Sequence, residues 1–264
     1  MTEWDARDYN RISTLQKVLA EEHLALIKLA GHERILDIGC GDGKVTAEIA
    51  ARVSRGSVLG VDPSHQMIDF ASGHFGAPNV ANLHFEVGDA RRLPYRNEFD
   101  LIVSFNALHW VREQEQVLAS IKAALKPGGR AVLEFVPRDN DRHQSLEDTI
   151  EEVRQTPRWA SHFEGFTQPF FHYRPEEYRK FATAAGLEVA HLDVEPGRWD
   201  FGSRQGFAGF CHGTFVEWIK RVPKDQHDAF ITDVLDTYCQ RAADAPAEAN
   251  TFKFYQMVVD LRRP

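Results

Sequence analysis

Between residues 34 and 136 short, almost wholly apolar runs alternate with stretches of helical period. The runs Arg34–Ile38, Ser57–Asp62, 84–89, Phe99–Phe105 and 130–136 are rich in Val, Ile, Leu and Phe. Such runs fit strands covered on both faces, as in a parallel sheet, better than strands with one face in water. From 43 to 53, Val45, Ile49 and Val53 recur at every fourth position beside Lys44, Glu48 and Arg52, which predicts an amphipathic helix. A second helix is predicted over 113–125, stopped by Lys126-Pro127-Gly128-Gly129. Strands alternating with helices imply right-handed crossovers and a doubly wound sheet.

The flanks differ from this core. Residues 11–30 read as a helix that packs through Leu15, Leu19, Leu26 and Leu29. After the core, aromatic residues crowd the chain: 19 of the 29 Phe, Tyr and Trp lie beyond Pro137. A helix is expected from Ser145, with Leu146, Ile150 and Val153 on one face, then an aromatic loop over 159–173 and a helix over 175–185. The segments 188–195 and 252–261 read as strands, separated by helices near 204–221 and 225–241; the Ala-rich stretch 239–250 reads as a loop or frayed helix end. The expected organisation is one domain over 1–264. It comprises an N-terminal helical cap (1–33), a ligand-binding core (34–136), and lid segments over 137–175 and 197–250.

Composition narrows the class. At 43% hydrophobic residues the 264-residue chain is too apolar for a disordered segment, and it has no run of the ~20 apolar residues a membrane span needs. Its 39 acidic and 31 basic side chains leave a formal charge of −8, which argues against nucleic acid as a partner. Cys40, Cys211 and Cys239 lie far apart with no metal-ligand spacing, so reduced thiols and a cytoplasmic setting are expected. The N-terminal MTEWDARD lacks the features of a secretory leader, which agrees with that expectation. No histidine cluster falls at metal-binding spacing, and no metal is expected.

The candidate chemistry begins at Asp37-Ile38-Gly39-Cys40-Gly41-Asp42-Gly43, where a strand runs through alternating glycines into a helix. Glycines let backbone approach a ligand, and a helix start offers free N–H groups. A P-loop is excluded, because Ile38 stands where its first Gly belongs and Val45 follows Lys44. The dinucleotide fingerprint fails because Lys44 occupies its third glycine position. Asp62 ends the second strand and Asp89, followed by Ala90, ends the third, so two further carboxylates stand at strand ends. Both acids also have the plainer reading of helix caps.

The pattern D-x-G-x-G-x-G resembles the first motif of the class I S-adenosylmethionine-dependent methyltransferases. The resemblance implies a Rossmann-like α/β fold with a seven-stranded, mostly parallel sheet, an antiparallel last strand and a helical substrate lid. It implies S-adenosylmethionine as cofactor, with Asp37 facing the α-amino group, Asp62 accepting both ribose hydroxyls, Asp89 accepting the adenine amino group and Met67 covering the adenine. It places Tyr9, Gly39, Cys40, Gly41, Pro63, Phe105 and Asn106 around that cofactor. Within the class, Phe105-Asn106-Ala107-Leu108-His109-Trp110-Val111 resembles the F-x-x-L-H-W-V segment of the juvenile hormone acid and trans-aconitate carboxyl methyltransferase group. So do Asp62-Pro63-Ser64-His65-Gln66-Met67-Ile68, Trp4 and Tyr9, Tyr9 followed by Leu15-Gln16, and the last strand from Phe252.

That group methylates carboxylates, which implies a small, partly apolar acid as substrate and a methyl ester as product. A carboxylic acid of pKa ~4 is already anionic at neutral pH and needs no general base. The resemblance gives Gln16, Trp110 and His109 the catalytic positions, as neutral donors that steady the carboxylate. A second expectation keeps the fold and moves the acceptor to a phenol, an amine or a carbon, with His109 as base. A third is a module that holds the cofactor without turnover. The aromatic residues of 159–173 point to an acceptor with an apolar body, or serve as the lid's own core. Arg11, Arg138 and Arg158 are the candidates for binding a polyacid.

Overall fold

The computed structural model describes residues 15, 18–20, 22, 24, 27–76, 80–138 and 145–264. A seven-stranded sheet with the order β3-β2-β1-β4-β5-β7-β6 forms its centre. The strands are β1 (Arg34–Ile38), β2 (Ser57–Asp62), β3 (Leu83–Val87), β4 (Phe99–Phe105), β5 (Leu125–Phe135), β6 (Glu188–Asp200) and β7 (Thr251–Arg262). β1 to β5 pair in parallel, and β7 runs antiparallel to both β5 and β6. The expected sheet, including its reversed last strand, is the one observed.

The helices follow the apolar stripes. They are α1 (Lys44–Arg52), α2 (His65–Phe75), α3 (Gln114–Ala124), α4 (Leu146–Val153), α5 (Pro175–Ala184), α6 (Arg204–Thr214), α7 (Val216–Ile219) and α8 (His227–Ala242). Ser64 and Ser145 cap α2 and α4 through side-chain oxygens that accept from Met67 N and Asp148 N. Ile49, Ala50 and Val53 bury the inner stripe of α1 against β1, β2 and β4. The described residues between 15 and 24 are helical, with Leu15, Ala20 and Leu24 buried.

Three details depart from the sequence expectation. Lys126-Pro127-Gly128-Gly129 ends α3 but lies within β5: the register passes from Phe99↔Leu125 to Leu101↔Arg130, so the four residues form an irregularity in the sheet. β3 stops at Val87, so Asp89 stands beyond the strand, as the cap of a short turn over Ala90–Arg92. β6 continues to Asp200, past the expected end at 195 and into the start of the segment 197–250 expected to be lid. Among the described residues no helix is long and apolar enough to cross a membrane.

A separate apolar cluster joins α4, the aromatic loop, α6, α7, α8 and the start of β7. Trp159, Trp218, Phe207, Phe215 and Phe230 are wholly buried in it. Much of the aromatic enrichment of the second half is therefore spent on this cluster's own packing. It sits beside the carboxyl ends of the parallel strands, where Trp110 of the β4–α3 turn packs against it.

Candidate active site

The glycine loop is shaped by contacts that only glycine permits. Gly39 has φ +76°, and a Cβ there would stand 2.2 Å from the Cβ of Ala107. Gly43 has φ +83° and packs against Ala71 and the ring of Phe85, each 2.8 Å from where its Cβ would be. The backbone N–H groups of Gly39 and Cys40 donate to Val61 O at 2.8 and 3.1 Å. Asp62 then closes the loop: Oδ2 accepts from Gly41 N at 3.1 Å, and Oδ1 from Ser64 N at 2.9 Å. One carboxylate thus ties the loop to the start of α2.

Two cavities open at the strand ends. The larger, of about 600 Å³, is lined by Gly39, Asp62, Pro63, Asp89, Ala90 and Trp110 among others. The smaller, of about 150 Å³, is lined by Gly41, Met67, Phe105, Asn106, His109 and Gln256 among others. Gly39, Asp62, Ala107 and Trp110 border both, so a ligand reaching from one cavity into the other would pass these four. Open α/β sheets bind their ligands in this crevice.

The expected site residues divide by placement. Asp62, Pro63, Asp89 and Ala90 meet in the larger cavity with Gly39. Phe105, Asn106, His109 and Trp110 meet in the smaller one with Gly39 and Gly41. Met67 lines the smaller cavity and not the larger one that holds Asp89, because the Ser64 cap turns it inward under the loop. Asp37 lines neither cavity; it is 3% exposed beneath the loop, where its Oδ2 accepts from Thr46 Oγ1 at 2.7 Å. Cys40 also lines neither: it is buried with its Cβ against Gly60. Tyr9 and Gln16, with Trp4 and Arg11, lie outside the described residues.

The electrostatics add detail. Burial, opposed by the Thr46 hydroxyl and helped by the charge of Asp62, raises the Asp37 carboxyl to about 7. Asp89 is pushed down, chiefly by Arg91, whose Nε lies 3.0 Å from both carboxylate oxygens. Arg91 also reaches Glu113 at 3.2 Å. His109 is lowered to about 3 by burial and by His172, whose ring centroid is 6.1 Å away. It is therefore neutral at physiological pH, with one ring nitrogen to donate and one to accept, and a weaker base than an ordinary histidine. Its Nδ1 is buried without a partner among the described residues.

Three residues of this region escaped sequence reading. Glu147, in the first turn of α4, borders the smaller cavity and is raised to about 7, mainly by burial. Glu134 is fully buried in β5, and Gln256 is 4% exposed in β7. Glu147 looked like an ordinary helix-start acid. Glu134 and Gln256 carried a signal, since each is a polar residue inside an apolar strand. Arg158 is structural: it pairs with Asp233 at 2.8 Å and its guanidinium carbon lies 4.6 Å from the Trp159 ring centre. Arg138 borders a third, more polar cavity.

A crevice at the carboxyl ends of parallel strands, with a glycine loop on one side and ribose-competent acids on the other, defines a nucleoside-cofactor enzyme. Comparison with known proteins makes the class definite. The profile of a family described as "Methyltransferase domain" matches residues 35–129. An uncharacterized methyltransferase of Schizosaccharomyces pombe is 32% identical over 203 residues, covering 72% of each chain. The trans-aconitate 2-methyltransferase of Deinococcus radiodurans is 34% identical over 151 residues, 56% of each chain. The juvenile hormone acid O-methyltransferase of Bombyx mori is 28% identical over 172 residues, 61% of this chain and 60% of that one. The chain thus spans less than two thirds of these last two relatives. In structure, the YcgJ protein of Bacillus subtilis superposes with a TM-score of 0.61 at 18% identity, over 92% of this chain and 97% of that one.

The chain belongs to the class I S-adenosylmethionine-dependent methyltransferases. S-adenosylmethionine is its cofactor. The lining is compatible with that molecule: the carboxylate of Asp62 is an acceptor on the wall of the larger cavity, which shares Gly39, Asp62, Ala107 and Trp110 with the smaller, mainly apolar one.

Proposed function

We propose that this methyltransferase acts on the carboxylate of a small, partly apolar acid and releases the methyl ester. The observation that carries this reading is the wall of the smaller cavity. Phe105, Trp110, Phe170, Phe210, Phe252 and Phe254 line it, and no Lys or Arg does among the described residues. The cofactor supplies an electrophilic methyl on a sulfonium, which is the cation an anionic acceptor would meet. Added fixed cations would hold the starting carboxylate more tightly than a transition state whose charge is being lost. The relatives whose names state a carboxyl acceptor support the reading.

In this reading Trp110 and Gln16 steady the acceptor, and Asp62 and Asp89 take the ribose and adenine ends of the cofactor. His109, neutral, serves as wall. Segments 137–175 and 197–250 act as the lid of a single domain, in a cytoplasmic enzyme without a nucleic-acid partner. Holding the reactants in line is the main task, and such positioning supplies as much as roughly 7–11 kcal/mol.

Glu147 favours a second reading, in which a phenol or amine gives its proton to that carboxylate. The pH–rate profile separates the two by sign. For a carboxylate acceptor, Glu147 must be protonated to donate to it, so kcat/KM falls as pH rises through about 7. For a phenol or amine, Glu147 must be ionised, so kcat/KM rises over the same range. Glu147→Gln retains a donor: it keeps activity and flattens the profile in the first case, and abolishes activity in the second.

A further inference from the structure

Gln256 sits on the face of β7 that carries Phe252 and Phe254, all three lining the smaller cavity. Its amide belongs to a chain of hydrogen bonds that starts at a buried acid. Glu134 Oε1 accepts from Asn106 Nδ2 at 3.3 Å. That leaves Asn106 Oδ1 facing Gln256, and Gln256 Nε2 donates to it at 2.9 Å. Gln256 Oε1 is then the end left over, buried and without a partner among the described residues. With Asn106 Oδ1 turned to Gln256, a flipped Gln256 would set two carbonyl oxygens against each other.

We infer that Gln256 is a specificity-determining residue: the acceptor substrate carries a hydrogen-bond donor, a hydroxyl in the simplest case, that Gln256 Oε1 takes. A buried acceptor without a partner is costly, and a ligand hydroxyl recovers that cost. Asn106 is well suited to the corner of this relay, since its φ of +53° is a conformation Asn tolerates better than most residues. Glu134 does not border the cavity and acts as a positioning residue that sets the polarity of the chain. The inference deepens the ester reading to a small hydroxy acid; it rests on that reading for the atom methylated, and not for the donor requirement.

The test is calorimetric titration of the S-adenosylhomocysteine-loaded protein with hexanoate and with its 2-, 3- and 6-hydroxy derivatives. At least one hydroxy acid is expected to bind about tenfold or more tightly than hexanoate. Gln256→Met, which keeps the volume, brings that ratio to about one. Glu134→Gln also erodes it, because an amide at 134 can present its own N–H₂ to Asn106 and so turn Asn106 and Gln256 round; a Gln256 that merely filled space would not respond. The inference is overturned if no hydroxy acid binds more tightly than hexanoate, binding of none included, or if the ratio survives Gln256→Met. Product chemistry is read separately: a base-stable methylated product with the hydroxyl preference intact removes the ester reading and leaves this one. Equal affinities with an ester product do the reverse.

Discussion

Asp37→Asn isolates the cost of the acid buried beneath the glycine loop. The Asp37 carboxyl titrates at about 7 in the folded protein against 3.8 for the ordinary side chain, mainly because burial disfavours the charge. A difference of ~3 units corresponds to roughly 4 kcal/mol, of a total stability of about 5–15. The folded value is raised, so the contribution of Asp37 to stability is fully present below pH 3.8 and is lost as pH rises to 7. Between pH 5 and pH 8 the loss is about 3 kcal/mol, on the order-of-magnitude scale such shifts permit. Asparagine retains an acceptor for the Thr46 hydroxyl and does not ionise. Urea unfolding at pH 5, 6, 7 and 8 should therefore show the variant gaining on the wild type by that amount across the range. A stability difference that is flat with pH would refute the reasoning, whatever its size at any one pH.

Gly39→Ala should destabilise the protein by about 1–3 kcal/mol and reduce S-adenosylhomocysteine affinity, since both the positive φ and the 2.2 Å approach to Ala107 forbid a Cβ; adding Ala107→Gly should restore part of the affinity. Calorimetry on the two variants checks both. Asp62→Ala removes the acceptor of Gly41 N and Ser64 N together with the ribose partner, and should lower S-adenosylhomocysteine affinity by about 100-fold or more. Near-normal binding would remove Asp62 from the ribose. Trp159→Phe breaks the 2.8 Å bond from the indole N–H to Asp233 inside a wholly buried site, so the melting temperature should drop by an amount equivalent to about 1–3 kcal/mol. Cofactor affinity should change little, because Trp159 itself lines neither cavity.

The sheet was legible because parallel strands and their crossover helices write themselves as local periodicity. β1, β2 and β4 begin and end at the expected residues, and even the reversed β7 lies within one residue of its expected span at each end. The glycine loop was legible for a similar reason, since its constraints act between residues a few positions apart. What could not be read depends on tertiary placement. Asp37 and Asp62 look alike in sequence, yet one lies under the loop and the other on the cavity wall. Trp159 and Phe166 come from one aromatic loop; the first is consumed by the interior cluster, whereas the second borders the larger cavity. Glu134, Asn106 and Gln256 are joined across 150 residues, and only the pairing of β5 with β7 brings them together.

The identity of the methylated atom is the centre of the account, and the base lability of the product measures it directly. The enzyme is incubated with S-adenosylmethionine labelled in the methyl group and a panel of small acids, phenols and amines, and the products are treated with mild alkali. The account predicts label in an acid of the panel, released as methanol by hydrolysis of a methyl ester. Label that resists alkali, in an ether, an amine or a carbon–methyl product, would contradict it.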